Sequence, residues 1–237
     1  VSASGTGYNT PSSSAGSDIS QCDNASFTLA ATNPSFGTGA WSLASGSANI
    51  STPSSNTSAV TSVSAGASAT LTWTVSNGTC TAATDDVVLS NNSNPTASAS
   101  TSTGTVCEGS TISLVGGASG GSGGGYSYSW SGPSSYTSSS QSPTISSSAT
   151  TGMAGSYSLT VTDGNSCSSS SSSASITVDA SPTVSSAGSD ISQCENASFT
   201  LAGNSPSSGT GAWSVVSGTA SITSSSSNTS GVTGVTA

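Results

Sequence analysis

Apolar and polar residues alternate strictly in several short runs of the chain. The two clearest runs are TLTWTVSNGTC (residues 70–80) and SYSLTVTDGNSC (residues 156–167). In the first run, Leu71, Trp73 and Val75 fall on one face of an extended backbone, and the threonines between them fall on the other. A two-residue period is typical of half-buried β-strands, and no long stretch has the 3.6-residue period of a helix. The pattern therefore predicts an all-β chain.

Turn signals follow these runs. Asn77-Gly78 and Asp163-Gly164 end the two runs, and both dipeptides accept the positive φ angles of a tight β-hairpin turn. A third run, GYSYSW (residues 125–130), alternates in the same way and ends on Trp130. The chain is therefore expected to consist of short strands joined by hairpin turns.

The chain also repeats itself. AGSDISQCDNASFTLA (residues 15–30) returns as AGSDISQCENASFTLA (residues 187–202), 172 positions later, with one Asp-to-Glu change. A shorter pattern consists of a cysteine, an acidic residue, and apolar residues five and seven positions after the cysteine. It begins at Cys22, Cys107 and Cys194, which are 85 and 87 residues apart. The repeat unit is therefore about 86 residues long, and two types of unit alternate as A-B-A.

The repeat divides the chain into a leading stretch and three segments, each segment predicted to be one module. The last segment is expected to be truncated, because the equivalents of Trp73 and Cys80 would fall beyond Ala237. The leading stretch is expected to be the tail of a preceding module or a linker. The four parts are the leading stretch (residues 1–14), the first A segment (15–95), the B segment (96–182) and the second A segment (183–237).

Each segment is predicted to be an immunoglobulin-like β-sandwich, so that the chain forms a beads-on-a-string array. About seven short strands per segment, a turn signal about every 8–12 residues and a tryptophan between two cysteines favour this fold. Ala154-Gly155-Ser156-Tyr157 resembles the corner at which such domains bury a tyrosine. The residues expected in the core are Trp41, Trp73, Trp130, Tyr157 and Trp213.

The five cysteines occupy equivalent places in the repeat. They are predicted to pair within their own segments, as Cys22–Cys80 and Cys107–Cys167, and the partner of Cys194 is expected outside the chain. Each bond would close a loop of about 60 residues, which stabilises by roughly 4 kcal/mol in the chain-entropy model, and would indicate an oxidising compartment. Reduced thiols and a metal site are the alternatives, but CxxC spacing and histidine are both absent from the sequence, which disfavours zinc.

Composition limits what can be inferred from charge. The 237 residues include no Lys, Arg or His and nine Asp plus Glu, which gives a formal net charge of −9. Three explanations are open: a surface solvated by hydroxyl groups, a Ser/Thr surface that carries glycans, or unassigned side chains written as Ser, Ala, Gly or Thr. We favour the third, because Cys, Trp, Tyr and Pro lie where a fold needs them, whereas small residues fill the water-facing positions. Functional inference therefore rests on the large and special residues.

The residues do not form a recognisable active site. Without His, Lys or Arg, nucleophilic mechanisms lack their usual partners, and Asp85 and Asp86 are expected on opposite faces of a strand. Asp163-Gly164-Asn165 lacks the alternating ligands of a calcium loop, and the Gly-rich residues 116–126 lack the ending of a phosphate-binding loop. We expect no catalytic, cofactor-binding or metal-binding residue, no nucleic-acid partner and no membrane-spanning segment.

Several motifs together resemble a known class of surface protein. They are GTGxWS, TLTWTxSNGxC and WSGPxxYTSxxQxPTI. As a set they are similar to the PKD-like and Ig-like repeats of giant Bacteroidota surface proteins, which the type IX secretion system exports and which include gliding-motility adhesins of the SprB type. The likeness covers nearly the whole chain, although such repeats normally carry more charged residues.

The resemblance implies an extracellular stalk at the cell surface that extends an adhesive or motility-related tip. The implied partners are neighbouring modules of the same long chain, other cell-surface or gliding-machinery proteins, and surface glycans. The alternative function is a set of carbohydrate- or protein-binding Ig-like modules that contact the ligand directly, for example through a platform of tryptophans. No enzymatic function is expected.

Overall fold

The structure is a computed structural model that describes residues 9–24, 26–193 and 198–235. These residues form eighteen β-strands and two single-turn 3₁₀ helices, so the predicted all-β class is confirmed. The 3₁₀ helices are Pro133–Ser135 and Thr151–Met153. The strands are β1 (Ile19–Cys22), β2 (Ser26–Thr28), β3 (Thr38–Ser45), β4 (Asn49–Ile50), β5 (Ala59–Thr61), β6 (Ala67–Ser76), β7 (Ala83–Asn92), β8 (Pro95–Thr101), β9 (Thr105–Cys107), β10 (Ile112–Gly120), β11 (Ser127–Gly132), β12 (Tyr136–Ser138), β13 (Thr144–Ser146), β14 (Gly155–Thr162), β15 (Ser172–Asp179), β16 (Ser198–Ala202), β17 (Ser221–Ile222) and β18 (Thr229–Thr233).

The first A segment folds as two sheets around one core. One sheet has the strand order β1-β7-β6-β3 and the other has the order β2-β5-β4. Alternate residues of β6 are buried, as the sequence pattern predicts, and Trp73 of β6 contacts Trp41 of β3 with ring centroids 5.0 Å apart. Phe27 of β2 and Val60 of β5 belong to the same buried cluster. The core therefore lies between the two sheets, as in a sandwich.

The B segment follows the same plan. Its sheets have the strand orders β12-β11-β14-β15-β9 and β13-β10-β8. Trp130 and Tyr157 are buried, and the indole N–H of Trp130 donates to the carbonyl oxygen of Ser140 at 3.1 Å. A Cβ atom at Gly132 would overlap the ring of Tyr157, so only glycine fits there. Burial raises the pKa of Tyr157, and the neighbouring Tyr136 raises it further.

The described part of the second A segment forms one sheet, with the strand order β16-β18-β17. Trp213 is only partly buried there, and its indole N–H donates to the carbonyl oxygen of Ser227 at 2.9 Å. The predicted disulfide position Cys194 lies outside the described residues.

Contacts along the chain group it into two compact units. The first consists of Val1–Ser100, Leu114–Pro143 and Ser156–Ala174, and the second of Thr101–Ser113, Thr144–Gly155 and Ser175–Ala237. Both units include residues of the B segment, so the module boundaries at 95 and 182 stay a prediction. The immunoglobulin-like sandwich plan itself is established by the sheets described above.

Candidate functional site

The first cysteine of each complete segment ends an edge strand. β1 pairs in parallel with β7, so that Cys22 lies opposite Asn92, the last residue of β7. β9 pairs in parallel with β15, so that Cys107 lies opposite Asp179, the last residue of β15. Both cysteines therefore lie at the end of the sandwich from which the chain leaves for the next segment.

The second cysteine of each segment lies at the opposite end. Cys80 follows the turn before β7, and Cys167 follows the turn before β15. β7 has ten residues, which at about 3.3 Å per residue separates its ends by about 30 Å. A disulfide requires Cα atoms roughly 4.4–6.8 Å apart. The two cysteines of one segment are therefore too far apart to bond.

Cys22 and Cys167 are instead bonded to each other, with their Cα atoms 5.5 Å apart and 145 positions between them in the sequence. The predicted pairs Cys22–Cys80 and Cys107–Cys167 are therefore wrong. The sequence pattern places each cysteine next to a strand but does not show at which end of the sandwich it lies. We call this bond, which joins the first A segment to the B segment, the intersegment disulfide.

The hairpin that carries Cys167 is organised by the carboxylate of Asp163. One oxygen of this carboxylate accepts the backbone N–H groups of Asn165 and Cys167, each at 3.0 Å. The other oxygen accepts the backbone N–H groups of Ser122 at 3.2 Å and Gly123 at 3.1 Å. Asp163 is only 5 % exposed. Its four hydrogen bonds fix the backbone of this turn, in which Ser166 and not Gly164 has a positive φ, of +65°.

The same contacts set the ionisation of Asp163. Burial alone would raise its pKa, but the backbone N–H groups of Cys167, Gly123, Asn165 and Ser122 together lower the pKa below the ordinary value of an aspartate. Hydrogen bonds to the charged form favour that form. The carboxylate of Asp163 therefore has a structural role, and both of its oxygens accept backbone N–H groups.

The Gly-rich stretch after β10 packs against this hairpin. A Cβ atom at Gly121 would lie 2.7 Å from a carboxylate oxygen of Asp163, and one at Gly123 would lie 2.6 Å from the backbone nitrogen of Asn165. Gly121 also has a φ of +78°, which disfavours other residues. The glycines therefore allow a close approach of two backbones, which gives the Gly-rich stretch a structural role.

The linker between the two segments, residues 93–96, includes the start of β8 and packs onto the same loop. Pro95 lies against Gly121, where an added Cβ would meet its ring at 3.4 Å. The side-chain amide of Asn165 donates to the side-chain oxygen of Asn92 at 3.2 Å, and the backbone N–H of Ser93 donates to the hydroxyl of Ser122 at 2.7 Å. Linker, loop, hairpin and disulfide together form a joint, which we call the A–B joint.

The other candidate residues take ordinary structural roles. A carboxylate oxygen of Asp85 accepts the backbone N–H of Ala15 at 2.7 Å, and a carboxylate oxygen of Asp86 accepts the hydroxyl of Thr72 at 2.6 Å. Within the described ranges, no group of three or more His, Cys, Asp or Glu is placed to hold a metal ion. In the same ranges, no helix is long and apolar enough to span a membrane.

The tryptophans do not form a shared platform. Trp41, Trp73 and Trp130 are each at most 4 % exposed. Trp213 lines an open cavity of about 610 Å³ together with Asn204 and other residues of the second A segment. In the first A segment, Trp73 packs on the equivalent tryptophan. The side that is open at Trp213 is therefore covered by β6 at Trp41 of the first A segment.

Sequence reasoning found the cysteines and the turn at Asp163 but not their connection. The signal that could have revealed it is the constant spacing from the second cysteine of one segment to the first cysteine of the next, which is 27 residues both for Cys80 to Cys107 and for Cys167 to Cys194. A spacing that is kept across a linker is consistent with a fixed joint.

Comparison with known proteins identifies the fold. No family model and no curated protein matches the chain. Three consecutive Ig domains of titin, in a variant with Glu-to-Ala substitutions, match with a TM-score of 0.52 and 15% identity, covering 95% of this chain and 86% of that chain. Extracellular domains 3–5 of Drosophila OTK match with a TM-score of 0.50 and 11% identity, covering 73% of this chain and 61% of that chain. At these identities the likeness concerns the fold alone, and the chain is an immunoglobulin-like β-sandwich protein.

Proposed function

We propose that this chain is a structural repeat segment of an extracellular cell-surface adhesin or filament, in which disulfide-linked sandwiches form a stalk that extends an adhesive or motility-related tip. The observation that carries the proposal is the bond between Cys22 and Cys167, because it joins two consecutive segments. The similar solved structures include consecutive Ig domains, among them extracellular domains of OTK, which supports a surface location. The assignment to type IX-secreted Bacteroidota adhesins of the gliding-motility kind rests on the sequence motifs.

The A–B joint gives the two segments more than one connection. A single linker acts as a hinge about which neighbouring domains move. Here Cys22 adds a second covalent connection beside the linker, and Pro95 packs on the loop at Gly121. Two connections and a packed loop restrict both bending and twisting, which is what a stalk requires.

The intersegment disulfide also determines how tension passes along the chain. Tension applied to the chain ends crosses directly from Cys22 to Cys167, so the residues between these cysteines are not extended. At about 3.5 Å per extended residue, the bond withholds about 500 Å of contour length. Two bonds within segments would withhold only about 200 Å each and would leave the linker under load. The proposed stalk therefore keeps its joint closed under tension.

A protease site placed inside the disulfide loop tests the joint. The site is inserted between Thr103 and Gly104, in the exposed turn between β8 and β9, and the cut chain is compared by electrophoresis with and without reductant. We expect one species without reductant and two with it, because Cys22–Cys167 bridges the cut. Two species without reductant would refute the joint.

A matched insertion provides the control. A cut between Ser170 and Ser171 lies outside the loop that Cys22 and Cys167 close. The 237-residue chain cut there should separate into two species with or without reductant. A single species without reductant would show that some other contact holds the fragments together.

Electron microscopy of the native protein tests the stalk itself. We expect thin filaments with regularly spaced beads and a narrow distribution of bead-to-bead angles, which widens after reduction of the disulfides. Compact particles would contradict the array. If reduction leaves the distribution of bead-to-bead angles unchanged, the role of the joint is contradicted. Regularly spaced beads would still support the array.

A second function, direct ligand binding by the modules, was open from the sequence. The observation that favours it is the open cavity beside Trp213. A glycan array probed with the chain distinguishes the two functions. Saturable binding that is lost in Trp213→Ala would support binding modules, and no binding is expected for a spacer.

A further inference from the structure

We infer that the intersegment disulfide recurs along the array, so that Cys107 bonds to the second cysteine of the A segment that follows the B segment. The inference deepens the proposed function and rests on the chain being part of a repeat array. Cys107 is exposed and forms no disulfide within the described residues. Its surroundings reproduce those of Cys22 in three independent respects.

The first respect is the strand pairing. Cys22 and Cys107 each occupy the last residue of an edge strand that runs parallel to the last strand of its segment. The residue after the cysteine makes the same backbone hydrogen bond in both places. The N–H of Asp23 donates to the carbonyl oxygen of Asn92 at 2.7 Å, and the N–H of Glu108 donates to the carbonyl oxygen of Asp179 at 2.9 Å. Cys107 therefore has the position, strand direction and exposure of the cysteine that is bonded.

The second respect is the linker that follows. At the A–B joint, Pro95 lies against Gly121, and at the next linker Pro182 lies against Gly209; an added Cβ at either glycine would meet the proline ring at 3.4 Å. The two glycines have φ values of +78° and +81°. The linker after the B segment therefore meets the loop of the following segment in the same way as the linker of the A–B joint.

The third respect is the register of the repeat. The intersegment disulfide spans 145 positions, so the same span starting at Cys107 ends at position 252. Shifting Cys80 by the 172-residue repeat leads to the same position 252. Two counts, the span of the observed bond and the repeat of the sequence, therefore give the same position. This position is that of the second cysteine in the A segment after the B segment, which would be the partner of Cys107.

Bonds of this kind would overlap along the array. The repeat unit is about 86 residues, whereas each bond spans 145 positions, so every peptide bond of the array would lie inside at least one disulfide loop. A backbone cut anywhere in the stalk would then leave the two parts covalently joined. Bonds within segments would leave every stretch from Cys80 to Cys107 unprotected.

Formation of the bond is a two-electron oxidation. The thiols of Cys107 and of its partner lose two protons and two electrons as one S–S bond forms. A disulfide oxidant of the oxidising compartment accepts these electrons by thiol–disulfide exchange and leaves as two thiols.

Peptide mass spectrometry of the native array tests the inference. The protein is treated with an alkylating agent and digested with pepsin without reduction, because acid suppresses thiolate formation and disulfide exchange. We expect a peptide with Cys107 linked to a peptide that contains the sequence SNGTC or a close variant of it. We also expect a Cys22–Cys167 peptide pair in the same digest.

The other results separate the two levels of the proposal. An alkylated Cys107, or Cys107 linked to Cys167 or Cys194, together with an intact Cys22–Cys167 pair, would overturn the recurrence and leave the A–B joint in place. A Cys22–Cys80 pair would overturn the joint as well.

A protease cut gives a second, independent readout. The chain is extended beyond Ala237 with residues 66–95 of the first A segment, which completes the repeat, and carries the protease site between Ser170 and Ser171. We expect this cut chain to remain one species without reductant, whereas the 237-residue chain cut at the same site separates. Cys107→Ser in the extended chain should restore separation, and separation without that substitution would overturn the inference.

Discussion

The two A segments begin with nearly the same sequence but differ in how deeply its apolar residues are buried. Residues 15–30 and 187–202 differ at one position. Phe27 and Trp41 are 2 % and 4 % exposed, whereas their copies Phe199 and Trp213 are only partly buried. The identity of an apolar residue therefore does not decide whether it is buried.

The difference comes from strands that lie far along the sequence. In the first A segment, β6 brings Trp73 onto Trp41 and β7 completes the sheet. In the second A segment, an open cavity of about 360 Å³ is lined by Phe199, Trp213 and other residues, most of them apolar. The core of the first A segment thus depends on its late strands. Substitutions that remove individual contacts of this segment test the comparison.

Loss of the intersegment disulfide is expected to have the largest effect on the first A segment. Closing a loop of 145 residues stabilises by about 5 kcal/mol in the chain-entropy model, so Cys22→Ser should lower the free energy of unfolding by an amount of that order. The change is measured by denaturant titration monitored by tryptophan fluorescence. The control is Cys107→Ser in the 237-residue chain, which should change the free energy by less than about 0.5 kcal/mol. Equal effects of the two substitutions would contradict the observed pairing.

Loss of Trp73 should make the first A segment resemble the second. Trp73→Ala removes a fully buried side chain and should cost about 3–5 kcal/mol. The control, Trp213→Ala, removes a partly buried side chain and should cost less than half as much. Unfolding curves of the two variants give both values. A Trp213→Ala effect as large as that of Trp73→Ala would show that Trp213 already lies in a complete core.

A smaller effect is expected at the hairpin that holds Cys167. Asp163→Asn keeps the size of the side chain but replaces one acceptor oxygen with an NH₂ group that faces two backbone donors. An unsatisfied buried donor costs about 1–3 kcal/mol, and the A–B joint should loosen while the second A segment is unaffected. Hydrogen exchange of the amides of Ser122, Gly123 and Cys167 measures this. Unchanged protection of these amides would contradict the role of the carboxylate.

The smallest effect is a dependence on acid. Because the folded state lowers the pKa of Asp163, its contribution to stability is present above the ordinary aspartate pKa of about 3.9 and is lost as the pH falls through the lower folded pKa. The wild-type chain should therefore lose stability below about pH 4 more steeply than Asp163→Asn. Denaturant titrations of both chains from pH 6 to pH 2 provide the test, and parallel curves would refute the assignment.

The fold could be predicted from the sequence because its signals are local. The alternation in β6 and β14 and the Gly-containing turns were enough for the all-β sandwich class, whereas the segment boundaries stay a prediction. The candidate site could be predicted only in part. The sequence indicated the turn at Asp163 and the cysteines Cys22 and Cys167, but it assigned both cysteines to the wrong partners. The Gly-rich loop had no assigned role, because a close approach of two backbones leaves no trace in the sequence except the missing side chains.

The sequence by itself determined the strands, the turns, the repeat and the positions of the cysteines along the chain, because these depend on side-chain periodicity and backbone conformation over a few residues. Only the tertiary structure decided the disulfide partner of Cys22, the burial of Trp41 and the contacts of Asp163. The physical reason is distance: a strand of ten residues separates its ends by about 30 Å, so the nearest cysteine in the sequence lies at the far end of its own sandwich, and the nearest one in space belongs to the next segment.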